Sequence, residues 1–243
     1  MNAATRRLSS TIALDVRLQA SSRLYAIGVV AAVIMGLAAR WLLDATGNRD
    51  AFTSRALAAF YLMGVGGTSF MFAAATILME KGQGTLAALR VSPLRQRDYV
   101  RSKVVTLTSF ALLESAIVFV LAGGVGLAVL PVFTGIVLLA WLYSYVGMGL
   151  AAGHDSVTSF LVPWALAISL VAQVPLMHIL GIPPNWAWYL VPTQAPVLLM
   201  LSAAEPLNLG QWLYIAVMGT ASAVGAAAWC RRRFRQYLGL AED

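Results

Sequence analysis

Cysteine is almost missing from this chain. Cys230 stands alone, so no intrachain disulfide can form, and no Cys/His spacing matches a metal site. Charge is scarce as well: Asp, Glu, Lys and Arg make up 11% of 243 residues, against roughly a quarter in a soluble globular chain. No polar stretch is long enough to bury a core of its own, which argues against a separate soluble domain. A G-x-x-x-x-G-K-[ST] phosphate loop is also absent. The glycine-rich GVGGTSF at 64–70 lacks the lysine and lies inside an apolar run, where it reads as helix packing. The chain has no usual means of cradling ATP.

What is present is hydrocarbon: 60% of the residues are hydrophobic and the mean hydropathy is +0.77. About 20 apolar residues cross a bilayer as a helix. Six such crossings are expected, at Leu24–Leu43, Leu57–Met79, Val104–Ala122, Pro131–Ala152, Val157–Ile179 and Trp212–Trp229. Barrel strands would alternate in hydrophobicity, and these runs do not. The fold class is therefore an all-α integral membrane protein. The first run reads as a span rather than a signal peptide, because its body is long and 23 residues precede it.

An even number of spans puts both termini on one side. Arg6, Arg7, Arg17 and Arg23 precede the first span; Arg231, Arg232, Arg233 and Arg235 follow the last. Residues 79–103 add Lys81, Arg90, Arg95, Arg97, Arg101 and Lys103 to the same face. The other face holds Arg49 and Arg55 in loops, with Arg40 near a span end. The positive-inside bias then predicts cytoplasmic termini. The same charge distribution argues against nucleic acid as a partner, since the basic residues cluster at span ends.

Residues 1–23 read as a cytoplasmic segment. Leu8, Ile12 and Val16 recur at i+4, although Asp15 and Gln19 fall near the same face, so an interfacial helix there is only weakly amphipathic. Residues 24–230 form the transmembrane domain and 231–243 a basic tail. In the tight turn Gly153–Ser156, Asp155 or Ser156 is the expected cap of the fifth span. Residues 181–210 carry no Lys or Arg but five prolines, with Trp186, Trp188, Pro192 and Pro196 among them. This stretch predicts an outer lid at headgroup level, with Gln194–Ala203 re-entrant or interfacial.

The charged insert reads as two helical pieces with a stop between them. Gly82 and Gly84 loosen the end of the second span, and Thr85–Arg90 makes a short helix with Leu86 and Leu89 on one face. Ser92–Pro93 ends it. Arg97–Asp98 opens the helix that enters the third span, with Asp98 near its positive end. Such an element suits anionic lipid or the groove of a partner.

The run EKGQGTLAALRVSPL at 80–94, followed by RQRDYVRSK at 95–103, resembles the signature of the ABC-2 family of ABC exporter permeases. Its pattern is Glu, a basic residue, two variable positions, Gly-Thr-Leu, two variable positions, Leu, then Ser/Thr-Pro-Leu, with an acid and a lysine further on. Arg95 replaces a small capping residue and Gly82 an acid, which leaves the partner's geometry open. The stretches LDVRLQ, LRQRDYVRSK and PTQAP are similar to the small permeases of fluoroquinolone and multidrug export.

The resemblance implies a coupling helix that docks into a separate ATP-binding subunit. Leu86 and Leu89 would be its apolar contacts, Gly84–Thr85 its start, and Pro93 and Asp98 its flanking signature positions. Glu80 would orient the entry, and Lys103 would anchor the third span at the membrane surface. It further implies two ATPase subunits holding ATP and Mg, a second permease subunit, identical or not, and no cofactor or metal on this chain. The chain itself would be a transport subunit, not an enzyme.

Glu114, near the middle of the third span, is the expected functional ionisable residue. Tyr143, Tyr145 and Gln173 add polar points for a translocation path. Two other classes stay open: an ion- or proton-coupled carrier centred on Glu114, and a non-transporting membrane scaffold. His154 and His178 lie too far apart in the topology for a metal site.

Overall fold

The computed structural model describes residues 16, 24–46, 49–86, 96–124, 128–182 and 185–238. The expected N-terminal helix, apart from Val16, residues 87–95 of the insert and residues 239–243 lie outside this set. Among the described residues every regular element is helical. These are α1 (Leu24–Thr46), α2 (49–82), α3 (Gln96–Ala122), α4 (Val129–Ala152), α5 (Val157–Ile179), a 3₁₀ turn Trp186–Leu190, α6 (Gln194–Leu201) and α7 (Leu209–Leu238). All except α6 and the 3₁₀ turn contain a stretch long and apolar enough to span a membrane, of 22 to 30 residues each.

Several helices run past their hydrocarbon limits. α2 comprises Arg49–Phe60, a π turn Tyr61–Val65 and Gly66–Gly82. Arg49 and Arg55, expected in a loop, are therefore helical. The guanidinium of Arg55 donates to Glu205 Oε1 at 2.9 and 3.0 Å, so its charge has a partner without any break in the helix. α3 begins at Gln96 and α7 continues to Leu238, which makes Asp98, Lys103 and Arg231–Arg235 helical too.

α4 is the central helix, packed against α2, α3, α6 and α7. Gly147 allows the α2–α4 approach: a Cβ there would lie 2.4 Å from the Phe70 carbonyl oxygen. Close contact of small residues is how helices gain dispersion energy in lipid, where burial against tails offers little. Phe70 meets Tyr143 of α4 edge-on at 5.9 Å and Phe160 of α5 at 6.3 Å, so three helices share one aromatic cluster. α1 packs chiefly on α3, where Tyr25 and Phe110 lie 4.4 Å apart. The π turn of α2 contains Gly64, whose missing side chain leaves room for the Met35 sulfur of α1.

Residues 185–210 divide into a surface turn and a buried helix. The aromatic turn stays at the surface, with Trp186 76% exposed and Trp188 6.4 Å from the His178 ring. α6, in contrast, is buried along its whole length, held between α4, α7 and the start of α2. The reason lies in α5. Pro175 has no N–H to give Val171, four residues earlier, so that carbonyl is left free inside the helix. The buried hydroxyl of Thr193 donates to it. Gln194 donates its amide to Nδ1 of His178. Val171 is eight residues, about 12 Å, from the end of α5, so the chain descends well into the bundle before α6 begins.

Candidate functional site

The basic end of the bundle is built around two consecutive residues of α2. Glu80 accepts a 2.5 Å bond from the Tyr99 hydroxyl and pairs with Lys103, both on α3. Lys103 is 1% exposed and lies 5.4 Å from the Tyr99 ring centre. Its ammonium is turned inward onto Glu80. A buried ammonium needs a carboxylate, and α2 supplies one.

Lys81 points the other way. Its ammonium lies 2.7 Å from Asp155 Oδ1 and donates to the carbonyls of His154 at 3.0 Å and Ala152 at 3.3 Å. The Ala152 carbonyl ends α4 and His154 follows just beyond its cap, so the cation meets the negative pole of the helix. The Lys81 hydrogen bond, then its charge, holds the exposed Asp155 carboxyl below its ordinary range. Asp155 thus serves the clamp, and Ser156 caps α5, accepting from the Ser159 amide at 3.2 Å.

α2 ends immediately beyond this pair. Gly84 has φ +73°, a left-handed geometry suited to glycine, and its amide bonds to the Lys81 carbonyl. Thr85 is exposed, but Leu86 is only 5% exposed and belongs to the main core. The first of the two expected contact leucines therefore packs with the core of its own bundle. Leu89 and Pro93 fall outside the described residues. Asp98 sits in the first turn of α3, as its spacing implied.

The second region lies midway along the bundle. Glu114 is fully buried; its Oε2 is 2.8 Å from the Thr68 hydroxyl, which also reaches the Val65 carbonyl of the π turn at 3.0 Å. Its Oε1 has no partner among the described residues and faces Gly28 of α1. Tyr143 approaches the same part of α2 from α4, against Gly66, with its hydroxyl unpartnered. Glu114 and Tyr143 thus flank one stretch of α2. Tyr145 does not join them, lying near Arg101 and Arg231, and Gln173 is exposed on α5.

Sequence reasoning gave no role to Tyr99 or to the Lys81–Asp155 contact. It took Thr68 only as a packing residue and did not find Thr193. A signal for Thr193 existed: Pro175 in an apolar helix announces a free carbonyl at Val171.

The model of the fluoroquinolones export permease protein family matches residues 6–241. The chain belongs to that family. Two curated proteins of Mycobacterium tuberculosis, from strains CDC 1551 / Oshkosh and ATCC 25618 / H37Rv, are both named as fluoroquinolones export permease proteins. Each is 30% identical to this chain over 171 residues, covering 70% of it and 72% of the relative. With six span-length apolar helices, the family member described here is a multi-pass membrane permease of the efflux type.

Proposed function

We propose that this chain is the membrane subunit of an ATP-binding cassette exporter that moves amphipathic, drug-like molecules outward. Fluoroquinolones are the first substrates to test, since the relatives carry that name. Two separate ATPase subunits hydrolyse the ATP, and a second permease subunit completes the transporter. The protein sits in a bacterial cytoplasmic membrane with both termini inside. The observation that carries this reading is the double clamp at Glu80 and Lys81, which flanks the insert and ties α2 to α3 and to the end of α4. Movement imposed on residues 87–95 by a docked ATPase would pass through Glu80–Lys103 to α3 and through Lys81 to the end of α4 and the turn that follows it.

The test is mild solubilisation and affinity purification of the full chain from its host, followed by drug uptake into vesicles. The expected result is a co-purifying ATP-hydrolysing subunit and fluoroquinolone transport that needs ATP and survives collapse of the proton gradient. Charge reversal at Arg90 and Leu89→Asp should release the ATPase while the protein still inserts. Transport that follows the proton gradient without ATP, and disappears in Glu114→Gln, would instead establish a proton-coupled carrier.

A further inference from the structure

Three arginines gather at the basic end, and none of them forms an ion pair among the described residues. Arg97 and Arg101 lie one turn apart on α3, Arg231 comes from α7, and with Tyr145 of α4 they line a small cleft floored by Val100 and Ala227. The neighbouring acids are committed elsewhere: Glu80 to Tyr99 and Lys103, Asp155 to Lys81. Asp98, on the same turn as Arg97, forms no ion pair among the described residues. Arg97 also sits at the positive pole of α3, which adds to the repulsion. Three guanidinium groups sharing one cleft call for an anion, and their planar donors suit phosphate oxygens in particular.

The cleft has space for about 30 Å³, one water-sized group and not a whole phosphate. A single oxygen can enter toward Tyr145, with the rest of the phosphate at the mouth between the arginines. One turn beyond Arg101, Val105 lines an open apolar groove of about 310 Å³ with Tyr25, Val29, Ser109, Phe110 and Leu113. A phosphate group above and a hydrocarbon groove below, at the end of a membrane span, match the two halves of a phospholipid.

We propose that Arg97, Arg101, Arg231 and Tyr145 bind the phosphate of an anionic phospholipid whose acyl chain follows α3 into the groove at Val105. The site is independent of the transported substrate and of the ATPase.

Native mass spectrometry of the full chain in detergent tests it, with phosphatidylglycerol and phosphatidylcholine as probes. Phosphatidylglycerol should be retained preferentially, and each Arg→Gln change at 97, 101 or 231 should weaken retention about fivefold. Tyr145→Phe should weaken it too, and Leu113→Trp, which fills the groove, should lower retention with all charges intact. The exposed control Arg232→Gln should bind as the native chain does. Equal retention of the two lipids, or unchanged binding in the triple arginine variant, would overturn the proposal. So would displacement of the lipid by millimolar inorganic phosphate, which would identify a free-phosphate site instead. If the triple variant does not fold, the single variants and Leu113→Trp decide.

Discussion

The Thr193 hydroxyl donates to the Val171 carbonyl, the acceptor that Pro175 leaves empty one turn later in α5. A proline that would weaken an ordinary helix thereby becomes the attachment point for the descending segment before α6. The Thr193 side of the bond is fully buried.

Thr193→Val should therefore destabilise the protein by about 1–3 kcal/mol, the cost of stranding a buried acceptor. Thr193→Ser should restore most of that. The decisive comparison is made in a Pro175→Ala background, where residue 175 regains an N–H for Val171. There the Thr193→Val penalty should shrink, as thermal unfolding of the four variants in one detergent would reveal.

Glu80 and Lys103 form the charge pair most removed from solvent at the basic end. Glu80→Gln or Lys103→Met alone strands the other partner and should cost about 3–5 kcal/mol. The double variant should be more stable than either single variant. Monodisperse yield and chemical unfolding of the three proteins would check the order.

The Lys81–Asp155 contact has a defined pH window. The folded-state carboxyl titrates below its ordinary value of 3.8, so its stabilising effect is complete above that value and disappears as pH falls through the folded one. Asp155→Asn should lower the melting temperature at neutral pH. The difference from the native chain should be constant between about pH 5 and 8 and vanish under strongly acid conditions.

Gly28 offers a probe of the Glu114 environment. A methyl group there would lie 2.5 Å from Glu114 Oε1 and 2.5 Å from Phe110 Cζ. Gly28→Ala should cost about 1–3 kcal/mol through overpacking. Adding Phe110→Leu should recover part of the loss, read as retention of the monomer peak on heating.

The six spans were legible because a continuous apolar run of that length has few other fates. Their ends were harder to place. Arg55 and Lys103 look like loop or surface residues until their partners, Glu205 and Glu80, are known, and those partners lie 150 and 23 residues away along the chain. Glu114 stood out by being ionisable in hydrocarbon. Its contact with Thr68 depends on how α2 and α3 are rotated, which periodicity in such uniformly apolar helices does not encode. Tyr143 and Tyr145 look equivalent in sequence, yet the rotation of about 200° between them sends one into the core and the other toward Arg231. The burial of Leu86 was equally hidden, since a leucine beside a basic run reads as exposed.

Because successive side chains on a helix point about 100° apart, Glu80 and Lys81 brace α2 from two sides, like stays on a mast. Swivelling that mast about its own length would tear at both stays together, whereas a lean could keep them both fastened. The motion this joint favours is therefore tilting as a unit with α3 and α4, and torsion is the motion it resists.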